Sequence, residues 1–127
     1  MQYITLKIEI ADNPILQERG LMFRKHLDKN AGMLFKFNKP AKLAFWGSNT
    51  YIPLDIAFIS KDNKIVKLSK IKPLKLDTIG SDVDCLMALE VNDDFFKNNG
   101  IGVGDTINIE KDDMGFPILK IDIETGD

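Results

Sequence analysis

The stretch that decides the fold class is residues 54–71, which read LDIAFISKDNKIVKLSKI. Leu54–Ser60 is rich in apolar and branched residues, a composition that favours a strand. Lys61-Asp62-Asn63 then supplies a short polar turn, and Lys64–Ile71 follows as a second strand-like run. The stretch therefore predicts a β-hairpin, and the prolines at positions 53 and 73 limit it at both ends.

The segments on either side continue the strand pattern. Within residues 3–10 every second side chain is apolar, from Ile4 to Ile10, as expected of a strand with one dry and one wet face. We expect a turn at Lys39-Pro40 and a loop over residues 74–82. Further strands are predicted at 32–37, 42–46, 83–91, 106–110 and 117–123.

Two short helices complete the prediction. Asn13 can cap a helix that begins at Pro14 and extends to about residue 22. Asn92 can cap a second helix over about 93–98, and Gly100 suits its end. Seven or eight short strands with two short helices indicate a mainly β fold, a small barrel-like or sandwich domain. The length of 127 residues suits a single domain over 1–127.

Charge and cysteine content narrow the function classes. The net charge is −2 and the basic residues form no block, so we predict no nucleic-acid partner. A single cysteine excludes an internal disulfide and suits a reducing compartment. The chain shows no signal-peptide pattern and no apolar run near the roughly 20 residues that span a bilayer. We therefore expect a cytoplasmic protein without a membrane partner.

Three groups of motifs follow one another along residues 5–110. They are Arg19-Gly20-Leu21-Met22-Phe23-Arg24 with Gly32-Met33-Leu34-Phe35, then Phe45-Trp46 with Asn49-Thr50-Tyr51-Ile52-Pro53-Leu54-Asp55 and Phe58, then Ala88-Leu89-Glu90-Val91 with Gly100-Ile101-Gly102-Val103-Gly104-Asp105. In their order and spacing these motifs resemble the family named domain of unknown function 192. The resemblance implies a compact, mainly β fold without an established activity, so no catalytic residue is carried over.

The chain departs from the family pattern at four points. Gly47 and Ser48 stand where family members usually have a methionine and a basic residue. The usual motif between the hairpin and the late strand is not recognisable in residues 74–82. The signal or lipoprotein segment of many members is missing, which weakens an envelope role. An extra strand at about 117–123 follows the family-like core, and it suggests an added interaction element.

Six residues form the candidate ligand-binding set, and all of them belong to the first two motif groups. They are Arg19, Arg24, Trp46, Asn49, Thr50 and Asp55. A guanidinium suits a carboxylate, short polar side chains donate and accept hydrogen bonds, and an indole supplies a flat apolar wall. A small polar pocket around Arg24 and Asp55 would use these properties. In the structural alternative, Arg24 pairs with Asp55, while Asn49 and Thr50 close a turn by bonding their own backbone.

The remaining reactive residue types give no catalytic prediction. His26 is the only histidine and Cys85 the only cysteine, and they lie far apart in the chain. Two such residues are too few ligands for a zinc site. We expect His26 to be exposed to solvent and Cys85 to be a small buried hydrophobe. The sequence therefore predicts no catalytic residue, no metal and no cofactor, and it leaves enzymatic activity as the less favoured option.

The leading functional hypothesis is a non-catalytic binding or interaction module for a protein partner or a small polar ligand. Lysines outnumber arginines 15 to 2, a bias found in A/T-rich genomes such as those of many phages. This bias suggests a virion surface or assembly protein, in which strand 117–123 could offer an edge for pairing. The alternatives are a small hydrolase-like enzyme that uses Asp55 with Arg24, or a small-molecule-binding protein with its pocket around the same two residues.

Overall fold

The structure is a computed structural model that describes residues 2–124. It contains seven strands and two short helices, which confirms the mainly β prediction. In chain order the elements are β1 (Gln2–Ala11), α1 (Pro14–Arg19), β2 (Ala31–Phe45), β3 (Leu54–Ile59), β4 (Ile65–Ile71), β5 (Ile79–Asn92), α2 (Phe95–Asn98), β6 (Thr106–Lys111) and β7 (Pro117–Ile123). No helix among residues 2–124 is long and apolar enough to cross a bilayer.

All seven strands belong to one sheet in the order β4-β3-β5-β2-β1-β7-β6. The pairing of β1 with β2 is parallel, and the other neighbours are antiparallel. The two edge strands approach each other at one corner, where Lys64 bridges to Thr106 and the Ile65 amide donates to the Asp105 carbonyl at 2.9 Å. The sheet therefore curls into a barrel-like shape without closing.

The two faces of the central strands carry separate apolar cores. Leu34, Ala57 and Leu89 are paired in register and lie in the first core, with residues of β1, β6 and β7. Their neighbours Phe35 and Ala88 point the other way into the second core, because successive side chains of a strand alternate between faces. The chain thus buries side chains on both faces of β2, β3 and β5.

Element boundaries differ from the prediction at four places. The second helix begins at Phe95 instead of about residue 93, and Asp94 takes its cap position, because the predicted cap Asn92 ends β5 and donates to the Leu27 carbonyl at 2.8 Å. The first helix ends at Arg19 instead of residue 22, because Gly20 has φ 50° and leaves the helical conformation. The expected turn at Lys39-Pro40 lies inside the single strand β2, whose register with β5 shifts between Lys36 and Ala41. The predicted loop over 74–82 is shorter, since β5 already begins at Ile79.

The prediction that strand 117–123 offers a free edge is wrong. The strand exists with these bounds, but β7 pairs with β1 on one side and with β6 on the other. Leu119, Ile121 and Ile123 are also buried in the first core. The free edges of the sheet belong to β4 and β6.

Candidate functional site

A cavity of about 360 Å³ lies beside α1, on the face of the sheet that carries the second core. Its walls come from the last residues of α1, the segment after the helix, two parts of β2, and single residues from the next loop and from β5. The apolar and aromatic side chains among them are Leu21, Met22, Phe35, Phe37, Leu43, Ala44, Phe45 and Trp46. The polar side chains are Gln17, Glu18, Arg19, Lys42, Thr50 and Glu90.

Glu90 is the unusual member of this lining. It lies in the middle of β5, opposite Met33 of β2 on one side and Ile56 of β3 on the other. Since Met33 and Ile56 belong to the second core, the Glu90 side chain points into the same apolar layer. Only 5% of the residue is exposed. A carboxyl group is thus set among apolar side chains at the base of the cavity.

The Glu90 carboxyl has no protein partner within residues 2–124. No hydrogen bond or ion pair reaches it, and burial alone raises its pKa from 4.5 to about 8, because a low dielectric disfavours the charged form. Among the described residues, every side-chain nitrogen or oxygen that is inaccessible to solvent has a hydrogen-bond partner. The partnerless Glu90 oxygens therefore open onto the cavity that they line.

Gly20 brings the end of α1 close to this carboxyl. A Cβ atom added at Gly20 would lie 3.3 Å from Cζ of Phe35 and 3.9 Å from Oε1 of Glu90. With its φ of 50°, a side chain at this position would also be strained. The glycine therefore lets the backbone after the helix approach both the ring and the acid.

Three of the six predicted site residues line the cavity. Arg19 comes from the last turn of α1 and is exposed, and Trp46 is 48% exposed at the end of β2. Thr50 is buried, and its Oγ1 donates to the Ser48 carbonyl at 3.2 Å. This bond agrees with the turn-closing role that the structural alternative gave to Thr50. The structure thus brings together part of the predicted set, but around Glu90.

The predicted pairing of Arg24 with Asp55 is wrong. Arg24 makes a two-pronged contact with Glu9 of β1, in which Nη2 donates to Oε1 at 2.7 Å, and this contact lowers the pKa of Glu9. Asp55 instead accepts from Nζ of Lys70 at 2.8 Å. Asn49 also lies outside the cavity lining, in a left-handed conformation with φ 53°, and its carbonyl accepts from the Phe23 amide.

Asp55 belongs to a second polar cluster, on the other side of β3. Carboxylate oxygens of Asp55, Asp93 and Asp94 lie within 4.8 Å of one another, a spacing that a metal ion could use. Nζ of Lys70 donates to all three at 2.8, 2.9 and 3.0 Å. The ammonium group therefore occupies the position that a metal ion would take, and its bonds to the carboxylates raise the pKa of Lys70. The cluster joins β3 and β4 to the start of α2, where the Phe96 amide donates to Asp55 at 3.4 Å.

The expectations for the lone histidine and cysteine are confirmed. The side chain of His26 is 79% exposed and its Nε2 lies 2.9 Å from Oδ1 of Asp28. Cys85 is fully buried in the second core, and burial raises the pKa of its thiol. Neither residue lines the cavity.

Sequence reasoning missed Glu90, although a signal was present. The residue interrupts the apolar run from Leu86 to Val91, and a charged residue inside a buried strand requires a partner or a function. The motif Ala88-Leu89-Glu90-Val91 contributed to the family resemblance but was interpreted only as a strand.

By its fold the chain is a small, mainly β domain with an open seven-stranded sheet. Its distinguishing feature is a cavity lined by a buried carboxyl group. The profile of the family DUF192, described as "Uncharacterized ACR", matches residues 1–109. The chain therefore belongs to the family named domain of unknown function 192, and the resemblance drawn from the motifs is confirmed.

Two solved structures are similar to the chain. One is a candidate transcription regulator from Sinorhizobium meliloti 1021, which is 34% identical with a TM-score of 0.78, over 80% of this chain and 79% of that one. The other is a protein of unknown function from Novosphingobium aromaticivorans DSM 12444, which is 33% identical with a TM-score of 0.77, over 80% and 73%. No curated protein matches the chain.

Proposed function

We propose that the protein is a non-catalytic binding module that takes one small organic ligand into the cavity beside α1. The observation that carries this proposal is the Glu90 carboxyl, which is buried at the base of the cavity without a partner among residues 2–124. Polar groups are rarely left unpaired inside proteins, because burying one without a hydrogen bond is costly. A ligand that bonds to Glu90 would supply the missing partner.

The size and lining of the cavity support this proposal. A volume of about 360 Å³ lies at the lower end of the range of pockets that bind small organic molecules. Such pockets combine apolar and aromatic walls with a few polar groups that orient the ligand. Here aromatic rings of β2 and Trp46 form walls, and Glu90 is a buried polar group among them.

Catalysis receives less support than binding. Among the lining residues within 2–124, Thr50 offers the only hydroxyl, and that hydroxyl donates to the Ser48 carbonyl. The enzyme hypothesis required Arg24 and Asp55 to face one cleft, but each of them has another partner. We therefore favour a module that holds its ligand over one that converts it.

Direct DNA binding is a second candidate, because the relative from Sinorhizobium meliloti is described as a candidate transcription regulator. The two described helices have six and four residues, which is at most about two turns, whereas many regulators read the major groove with a longer helix. The net charge of −2 offers no general attraction to phosphates. These properties favour a small ligand over DNA.

A virion surface or assembly role and the cytoplasmic location stay predictions from the sequence. The composition bias that suggested a phage source is unchanged. The free edge at strand 117–123 no longer supports the virion role, because β7 is an internal strand.

A thermal-shift screen against a library of water-soluble metabolites tests the binding proposal. Ala44 is exposed and lines the cavity, so Ala44→Phe would fill its entrance. Ala41→Phe adds the same ring to an exposed position of the same strand outside the lining, and it serves as the matched control. A ligand of the cavity should stabilise the wild type and Ala41→Phe by about 2.7 kcal/mol at 100 times its Kd.

The same ligand should leave the melting temperature of Ala44→Phe unchanged. Ligands that stabilise Ala44→Phe as much as the control would place the binding site elsewhere. A broad library without any stabilising member would count against a small-molecule function.

A further inference from the structure

The Glu90 carboxyl and the ring of Phe35 border the same part of the cavity. A Cβ atom added at Gly20, which also lines the cavity, would lie 3.9 Å from Oε1 of Glu90 and 3.3 Å from Cζ of Phe35. Phe45 packs edge-on against Phe35, with centroids 5.0 Å apart and an interplanar angle of 72°. A group that enters to meet the acid therefore also meets aromatic surface.

Aromatic walls discriminate between ligand charges. The faces of phenyl and indole rings carry negative partial charge and their edges positive partial charge, so a ring that turns its face to the ligand favours a cation over an anion. Phe35, Phe37, Phe45 and Trp46 all line the cavity. A buried acid beside several rings is the combination that recognises organic cations.

We infer that the ligand carries an organic cation, a protonated amine or a guanidinium, which binds at the base of the cavity to the Glu90 carboxylate beside the rings of Phe35 and Phe45. This inference rests on the proposed binding function and specifies the chemistry of its ligand. The cationic group donates to the two carboxylate oxygens that lack protein donors. An apolar body of the ligand then contacts the upper walls of the cavity.

The other charged residues of the lining do not oppose a cation at the base. Glu18 and Arg19 of α1 and Lys42 of β2 are exposed, where water and salt weaken their fields. Glu90 is 5% exposed, so its interaction with a cation is much less screened. Met33 and Ile56, its neighbours on the flanking strands, are uncharged. The base of the cavity therefore decides the charge of the bound group.

Proton exchange gives this inference a distinctive signature. The empty site holds a protonated carboxyl at neutral pH, since the pKa of Glu90 is raised to about 8. A cation binds the ionised form, so the cation enters as the proton leaves and the total charge of the site is unchanged. The apparent affinity for a cation should therefore rise about tenfold per pH unit below pH 8 and become constant above it. A neutral acceptor ligand would bind the protonated form and lose affinity above pH 8.

Isothermal titration calorimetry with three probes of nearly equal shape tests the inference. The probes are 2-phenylethylamine, 2-phenylethanol and phenylacetate, which present a cation, a neutral hydroxyl and an anion beside the same ring. We expect the full chain to bind the amine at least about tenfold more tightly than the other two at pH 8. Measurements at pH 6, 7 and 8 in two buffers of different ionisation enthalpy should show increasing affinity with release of nearly one proton at pH 6 and 7.

Glu90→Gln is the decisive variant, because it keeps the shape of the side chain and removes the charge. It should lose most of the affinity for the amine and all of the pH dependence, while a cooperative thermal transition shows that it is folded. Glu110→Gln removes a carboxylate from an exposed position of β6, and it should bind the amine as the wild type does.

The outcomes separate this inference from the proposed function. Tighter binding of the alcohol or of phenylacetate would refute the inference that the ligand is a cation, and so would an affinity for the amine that is constant or falls as pH rises. Either result would leave the proposed binding function standing. Amine binding that survives in Glu90→Gln would also refute the cation inference. If no probe binds at millimolar concentration, the cation inference fails, and the metabolite screen with Ala44→Phe then decides the proposed function independently.

Discussion

Glu90 shows how one residue can oppose the stability of the fold that contains it. Its pKa is raised from 4.5 to about 8 in the folded chain because burial removes water from the carboxylate. Between these two values the folded state holds a proton that the unfolded state has released. Stability must then fall as pH rises, since the slope of the unfolding free energy follows the difference in bound protons. The ionised Glu90 therefore lowers the free energy of unfolding most at alkaline pH.

We predict that Glu90→Gln removes this pH dependence. The pKa difference corresponds to a loss on the order of 5 kcal/mol in the wild type between pH 4.5 and pH 8. The variant should have nearly wild-type stability at pH 5 and be several kcal/mol more stable than the wild type at pH 9. Urea unfolding at pH 5, 7 and 9, followed by circular dichroism, measures the difference between the two proteins.

The exposed Glu110→Gln is the control for this experiment. It should keep the slope of the wild type, because its carboxyl group is in water in both states. Parallel stability profiles of the wild type and Glu90→Gln would show that the Glu90 carboxyl finds a partner or water in solution. That result would remove the observation on which the proposed function depends.

At the residue scale, the sequence identified side chains better than their partners. Arg19, Trp46 and Thr50 were selected for their chemistry and do line the cavity. The partners of Arg24 and Asp55 were mistaken because they lie on other elements, Glu9 on β1 and Lys70 on β4. Such contacts depend on strand order and register, which local residue patterns do not contain.

At the scale of elements, Gly47 connects two departures from the family pattern. Its amide donates to the Lys75 carbonyl at 2.9 Å, and its carbonyl accepts from the Leu74 amide at 2.9 Å. A Cβ atom at position 47 would lie 2.0 Å from the Lys72 carbonyl oxygen. The methionine that family members usually have here would collide with the segment 72–75. The glycine and the unusual segment between β4 and β5 therefore depend on each other.

We predict that Gly47→Ala displaces this segment and destabilises the protein. The added methyl group meets backbone, which cannot rotate away as a side chain can, so the cost should be at least about 1–3 kcal/mol. The only tryptophan of the chain is the adjacent Trp46, and its fluorescence reports a local rearrangement. Gly102→Ala is the control, because no atom lies within 4 Å of its added Cβ and its φ is not positive.

A Gly47→Ala protein with the melting temperature and Trp46 emission of the wild type would show that the two segments are not packed together.

Local patterns also fail at this scale in a second way. The turn residues Lys39-Pro40 predicted a break between two strands, yet β2 continues through them as one strand. The register with β5 shifts there, and a bulge tolerates a proline that a regular ladder would not.

At the scale of the whole molecule, β7 completes a sheet whose family match ends before it. The match covers residues 1–109, but β7 lies between β1 and β6 and pairs with both. The sequence predicted its alternating pattern correctly. Its position was not predictable, because an amphipathic strand at the end of a chain can pair at an edge or insert between two strands. Its pairing with β1 on one side and with β6 on the other shows that it is inserted.

Removal of residues 112–127 should therefore unfold the protein instead of trimming an appendage. The deletion exposes the β1 edge along Gln2–Lys7 and leaves β6 without its only paired strand among the described elements. It also removes Leu119, Ile121 and Ile123 from the first core, at about 1.5–3 kcal/mol for each side chain. Their combined contribution is comparable to the 5–15 kcal/mol that typically separates folded from unfolded domains. Circular dichroism melting and size-exclusion chromatography of this chain and of one ending at Glu124 measure the effect, and a cooperative transition within a few degrees of the full chain would show that the first 111 residues form a complete fold.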